Sequence, residues 1–256
     1  MSVRILHLTD PHLFADPAAS LRGTATHASL QSVLEHIQEA GWPADFVAMT
    51  GDVIQDDSAG AYANFRELLA TLGLPVHCVP GNHDVRALMR DALSEPPFYY
   101  CATWEQRDWL VVGIDSCVDN SAGGSISADE WERLKATVEA SDAAHVLVCL
   151  HHPPLPLDSR WLDQVGLEDG DSFLRQLASL GTVRGCLFGH AHQECDRVVD
   201  GLHIIGTPST CRQFKPQSDE FALDDRPPAY RRVLLRDDGS IDSELVWLPA
   251  ARQSGH

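Results

Sequence analysis

Five apolar runs in this chain stop at the same kind of chemistry. Residues 3–8 lead into Asp10-Pro11-His12, 46–50 into Gly51-Asp52, and 76–80 into Gly81-Asn82-His83-Asp84. Residues 145–150 lead into His151-His152, and 183–188 into Gly189-His190-Ala191-His192. Each run has strand length and is bounded by polar or turn residues. Amphipathic segments separate the first three. Leu30, Val33, Leu34 and Ile37 recur at helical spacing, as do Tyr62, Phe65, Leu68, Leu69 and Leu72 ahead of the stop signal Gly73. Strand–helix alternation calls for parallel strands, and such sheets bind ligands beyond the carboxyl ends of their strands. The five runs therefore deliver Asp10, His12, Asp52, Asn82, His151, His190 and His192 to one rim.

The alternation continues and then stops. Residues 109–115 read as a strand. Ser127-Ala128-Asp129-Glu130 has the form of a capping box and opens a helix with Trp131, Leu134 and Val138 on one face. Phe173, Leu174, Leu177 and Leu180 form another helix, ended by Gly181. After residue 190 the helical period disappears. Residues 196–205 read as a hairpin turning at Asp200-Gly201, and 230–236 with 241–247 as a second one. The pattern predicts one α/β domain over 1–256, with a mixed sheet or two packed sheets and a β-rich portion from about 195. Two proline-rich stretches, around Pro96-Pro97 and Pro153-Pro154, read as shaped loops rather than linkers.

Carboxylate, amide and imidazole at one rim are the inventory of a two-metal site for iron, manganese, zinc or cobalt. Two such ions clamp the attacking and leaving oxygens of a phosphoryl displacement and make a hydroxide nucleophile near neutral pH. Asp52 is the natural bridging carboxylate. A histidine outside the ligand set would protonate a leaving alkoxide or stabilise charge on phosphoryl oxygens. Taken singly, each fragment has a plain alternative as a turn or strand exit; five in order at strand ends do not.

Composition narrows the partners. With 37 acidic and 19 basic residues, the formal net charge is −18 and stays negative even with all 13 histidines protonated. That excludes a sequence-independent binder of nucleic-acid polymers and a polybasic membrane-surface protein. No stretch approaches the roughly 18 apolar residues of a membrane span. Residues 1–7 read straight into a strand and lack the apolar core of a signal peptide. The seven cysteines are scattered without a C-x-x-C pair, which predicts reduced thiols and a cytoplasmic protein. An anionic substrate then needs a locally positive site, supplied by two metal ions and by Arg22, Arg212 or Lys215.

The set Asp10-x-His12, Gly51-Asp52, Gly81-Asn82-His83-Asp84, His151 and Gly189-His190-x-His192 resembles the calcineurin-like metallophosphoesterases. Every element of that signature is present and in order. A narrower resemblance, to the bacterial class III cyclic nucleotide phosphodiesterases, rests on residues 6–14, Leu21-Arg22-Gly23, Gln55-Asp56-Asp57-Ser58 and His151-His152-Pro153-Pro154. Trp161-Leu162-Asp163, residues 206–211 and Gln213-Phe214-Lys215-Pro216 add to it. The resemblance implies a four-layer αββα sandwich with two mixed β-sheets. It implies one metal held by Asp10, His12, Asp52 and His192, and another by Asp52, Asn82, His151 and His190. The ions would be iron with manganese, or iron with zinc. His83 would face the phosphate, with Asp84 orienting its ring. Substrate would also meet His12, Asp52, Asn82 and His192, while His152 receives no role. The implied reaction is hydrolysis of 3′,5′-cyclic AMP to 5′-AMP by a metal-bound hydroxide. The alternative is a broad-specificity enzyme acting on other phosphodiesters such as glycerophosphodiesters. A non-catalytic scaffold would have lost ligands, and this chain has lost none. A homodimer is a further expectation, with the β-rich portion either contributing to it or capping the site.

Overall fold

Alternation along the strands dictates the layers. In Val3–Leu8, Val3 and Ile5 join one apolar cluster while Leu6 and Leu8 join another. In Phe46–Met49, Phe46 and Ala48 side with Ile5, and Val47 and Met49 with Leu6. The same split runs through His145–Cys149, where Leu147 and Cys149 oppose Val146 and Val148. The cluster containing Ile5, Phe46, Trp109, Leu147 and Leu187 draws on strands of two different sheets, so it is the seam between them. The other two clusters pair each sheet's outer face with helices. Thr26–Ala40, Ala59–Ala70 and Arg86–Ala92 cover the first sheet; Ala128–Ala140 and Gly170–Ser179 cover the second. Each fully buried Leu, Val or Phe in these faces contributes about 1.5–3 kcal/mol relative to exposure. The result is a four-layer αββα sandwich, as the resemblance implies.

The computed structural model describes residues 2–249; position 1 and positions 250–256 of the expected domain span lie outside the described residues. Both sheets have six strands. In the first, Val3–Leu8, Phe46–Met49, Val76–Cys78 and Phe98–Tyr100 run parallel; Ala229–Leu235 adds antiparallel beside Val3–Leu8, and Ile241–Trp247 pairs antiparallel with Ala229–Leu235 at the edge. In the second, Trp109–Gly113, His145–Cys149, Val183–Phe188 and Leu202–Gly206 run parallel, with Thr103–Gln106 and Cys195–Val199 as antiparallel edges. Both expected C-terminal hairpins form. They go to different sheets, so the β-rich portion completes the sandwich instead of standing apart.

Three local readings need correction. The helix Arg86–Ala92 and the strands Phe98–Tyr100 and Thr103–Gln106 carry too little periodicity for sequence to reveal. The capping box at Ser127 is half made. Ser127 Oγ accepts from Glu130 N at 3.1 Å, but the Glu130 carboxylate accepts from Asp115 N at 2.8 Å and from Arg133. Two small hairpins, Ser20–Leu21 with Thr24–Ala25 and Gln213–Phe214 with Leu223–Asp224, were also not foreseen.

Candidate metal centre

The rim forms because parallel strands end in register. Leu8 pairs with Met49, and Met49 with Cys78, so three loops leave the first sheet at one level. Cys149 pairs with Leu187, which aligns the loops of the second sheet. Backbone bonds then knit the loops: Asp10 N donates to Gly51 O (3.1 Å), His12 N to Asp52 O (3.0 Å) and Gly189 N to His151 O (3.0 Å). His190 N crosses between the sheets to the Asp10 carboxylate at 3.0 Å. Asp10, His12, Asp52, His190 and His192 all sit at positive φ, between 49° and 65°. Such conformations cost about 1–3 kcal/mol each and persist only where neighbours hold them. They turn these side chains toward one another. Gly51, at φ 92°, is required by its surroundings, since a Cβ there would stand 2.5 Å from His151 Nδ1 and 2.7 Å from Gly81 N.

Two backbone carbonyls set the ring nitrogens. His151 Nδ1 donates to Thr50 O at 2.7 Å, and His192 Nδ1 to Arg212 O at 2.5 Å. A carbonyl only accepts, so each Nδ1 carries a proton, and in the neutral ring each Nε2 is left with a lone pair. His151 Nε2 faces Asp52 Oδ1 at 3.4 Å, Asn82 Oδ1 at 3.2 Å and His190 Nδ1 at 3.2 Å. His192 Nε2 faces Asp10 Oδ1 at 3.4 Å and His12 Nε2 at 3.1 Å, and His12 Nε2 lies 3.8 Å from Asp52 Oδ2. Nitrogen and oxygen atoms able to ligate a metal thus converge in two groups, with one Asp52 oxygen turned to each. A metal ion about 2.0–2.2 Å from every donor places neighbouring donors roughly 3.0–3.5 Å apart. These spacings and donor types fit two metal ions. All seven expected ligand residues are brought together.

Charge points the same way. Burial disfavours the ionised form of Asp52, but His151 and then His12 outweigh it and hold its pKa well below the usual carboxylate range. Burial likewise opposes a charged His151, yet the Asp52 carboxylate lifts its pKa to about 9. His12 is pushed down to about 4 and His190 to about 3, chiefly by burial. His12 and His190 are thus neutral beside ionised Asp52, the form in which they bind metal, whereas His151 gives up a proton when an ion binds.

Residues 3–194 match the calcineurin-like phosphoesterase family. The chain belongs to that family. It is 37% identical over 250 residues to the 3′,5′-cyclic adenosine monophosphate phosphodiesterase CpdA of Haemophilus influenzae, covering 97% of this chain and 91% of that one. It is 38% identical over 253 residues to CpdA of Escherichia coli, covering 98% and 91%. Among solved structures, a dimetal phosphatase from Danio rerio superposes with a TM-score of 0.64 at 17% identity, over 96% of this chain and 98% of that one. That likeness supports the fold.

The phosphoesterase departs from expectation at Asp84. Its carboxylate accepts from Val53 N at 3.1 Å, Gly81 N at 2.9 Å, Ile54 N at 3.3 Å and Tyr62 Oη at 3.0 Å. Those bonds pin the loop carrying Asp52 to the loop carrying Asn82 and leave no carboxylate oxygen for the His83 ring. Burial and the nearby Asp52 carboxylate push the Asp84 pKa up to about 7. His83 Nδ1 instead meets Gln55 Nε2 at 3.3 Å.

Other supports also escaped sequence reasoning. Phe214 stacks on the His192 ring, with centroids 4.2 Å apart and planes within 9°. Ser116 Oγ accepts from His151 N and His152 N at 3.4 and 3.3 Å and lies 2.8 Å from His152 Nδ1. His152 is therefore a buried brace behind His151, with its Nε2 lacking a hydrogen-bond partner. The subgroup stretch at 213–216 was the one signal that could have found Phe214. A cavity of about 110 Å³ opens beside the centre, bounded by His12, His83, His192 and Gln55, by Leu21, Phe214 and Leu223, and by Arg22 and Arg212. A larger cavity of about 410 Å³, between the loop 153–157 and the start of Gly170–Ser179, touches no candidate ligand. Lys215 borders neither cavity.

Proposed function

We propose that this phosphoesterase hydrolyses 3′,5′-cyclic AMP to 5′-AMP at a dinuclear metal centre within one domain spanning 1–256. The observation that carries the reading is the pair of converging ligand groups sharing Asp52, beside a cavity lined by His83. The nearly full-length likeness to CpdA proteins supports the substrate. Asp10, His12, Asp52 and His192 would hold one ion; Asp52, Asn82, His151 and His190 would hold the other. Iron with manganese, or iron with zinc, suits this mixture of imidazole, carboxylate and amide. When bound, such ions supply Lewis acidity toward the phosphoryl oxygens and an activated water.

The chain's own residues do the rest. Asp52 offers one oxygen to each group. His83 borders the cavity next to His12 and is placed to meet a phosphoryl or leaving oxygen. Its backbone N–H donates to Asp52 Oδ1 at 2.9 Å, which ties the histidine to the shared carboxylate. Arg22 and Arg212 border the same cavity and bring positive charge to an otherwise acidic protein. All seven cysteines are free, which supports a reducing, cytoplasmic setting. Among the described residues, no helix is long and apolar enough to cross a membrane.

The test is a side-by-side assay of cyclic AMP, bis(p-nitrophenyl) phosphate and a glycerophosphodiester on a preparation whose metals are quantified. Cyclic AMP turnover above the others supports the reading. Negligible turnover beside rapid cleavage of a glycerophosphodiester replaces it with the broader activity.

A further inference from the structure

Two small hairpins wall the cavity beside the metal centre. Leu21 and Arg22 border it from the hairpin at 20–25, and Phe214 and Leu223 from the hairpin at 213–224. Leu21 pairs with Thr24, so Arg22 and Gly23 make a two-residue turn at φ 48° and 86°. The second hairpin is seated by Phe214 on the His192 ring, and Lys215 N donates to Ala222 O at 2.9 Å. Trp161 stands edge-on to both Phe214 and Phe221, with ring centres 5.2 Å apart in each case. The hairpins meet where the Arg22 guanidinium carbon lies 4.4 Å from the centre of the Phe221 ring. Arg212 Nη1 adds a second tie, donating to Thr24 Oγ1 at 3.5 Å. Phe221 is 42% exposed, so the cation–π contact stays partly in water and can open. The walled space is about 110 Å³. Sites that enclose a whole small molecule run to about 300–1,000 Å³, so this one takes a single substituent of a phosphodiester.

We infer that the Arg22–Phe221 contact latches the two hairpins into a clasp that sets substrate size. The clasp admits a phosphodiester whose ester oxygens lie on one compact group and excludes one with a bulky arm on each side. The inference rests on the phosphodiesterase reading for the reaction and on the hairpin contact for the selectivity. A cyclic nucleotide meets the requirement, because both its ester oxygens sit on one ribose. A two-armed diester binds only while the latch is open, so its apparent affinity falls with the open fraction. Arg22 and Phe221 are positioning residues that act through the hairpins.

The experiment uses the full chain with its metals bound and two diesters sharing one leaving group. Methyl p-nitrophenyl phosphate is compact, and the p-nitrophenyl ester of thymidine 5′-phosphate has two arms. Arg22→Asn removes the cation and keeps a residue suited to the positive-φ turn. It should raise kcat/KM for the thymidine ester relative to the methyl ester by about 3- to 30-fold, the factor matching a cation–π contact, through KM. Phe221→Ala should do the same, and the double variant should add nothing, since both changes cut one contact. Arg22→Lys keeps a cation over the ring and should stay within about twofold of wild type. Both diesters carry one negative charge, so a merely electrostatic role for Arg22 lowers both rates equally and leaves the ratio unmoved. An unmoved ratio in Arg22→Asn and Phe221→Ala overturns the inference. A readout without turnover is ¹⁹F NMR of protein labelled with 5-fluorotryptophan, the Trp161 signal being assigned by its loss in Trp161→Phe. Arg22→Asn should shift that signal, because the hairpin packed on Trp161 is released; an unshifted signal overturns the clasp. Neither diester is a cyclic nucleotide, so a protein that ignores cyclic AMP but shows the ratio change refutes only the substrate assignment.

Discussion

The two halves of the metal centre share Asp52 and a pair of histidines each, and they differ in what stands behind those histidines. The Asp10–His12–His192 half borders the cavity and leans on a late loop. Arg212 O orients His192, and the Phe214 ring stacks on it. The Asn82–His151–His190 half is backed from within the sandwich. Thr50 O orients His151, and Ser116 and the buried His152 support it from behind. Both halves follow strand ends that the cores already position, and the half bordering the cavity leans in addition on chain 20 residues beyond its ligand. The difference teaches that the half bordering the cavity depends on a late loop for the setting of His192, while the inner half takes its support from residues behind the strand ends.

Substitutions can break that comparison. Asp52→Ala removes a side chain with an oxygen turned to each half, so both ions should be lost and turnover with them. Metal analysis that finds full occupancy would remove the bridging role. His83→Ala should lower kcat by about 10²-fold or more, from the magnitude of acid–base and hydrogen-bonding contributions. Both ions should stay, and their loss would make His83 a ligand. Ser116→Ala withdraws the inner brace and should weaken one metal about 10- to 100-fold. Titration of metal into the stripped protein would show one site shifted and the other unmoved. Phe214→Ala should act on the opposite half and more gently. Loss of a stacked pair worth ~1 kcal/mol predicts about fivefold weaker binding at the His192 site alone. If Ser116→Ala and Phe214→Ala shift the same site, the halves are not separately braced.

Much of the centre was legible because ligands at strand ends leave a pattern that needs no folding to see. Asp10, His12, Asp52, Asn82, His151, His190 and His192 follow apolar runs directly, and parallel strands can only bring such loops to one edge. Asp84 shows where that logic stops. It stands beside His83 in sequence, but at this loop the backbone turns its carboxylate to Val53 and Gly81, while Gln55, 28 positions away, meets the ring. The helix Arg86–Ala92 was missed for a similar reason. Seven residues with one fully buried side chain, Met89, carry no readable period.

By itself the sequence determined the α/β class and which side chains meet at one rim. Period-two alternation selects which strand faces meet the seam and which meet helices, and local chemistry marks the strand ends. Only the tertiary structure decided which nitrogen of each histidine is bare, which loops brace which half, and what stands behind His83. Those depend on hydrogen-bond partners tens to hundreds of residues apart, and a hydrogen bond is made or lost over a few tenths of an ångström that no linear pattern encodes.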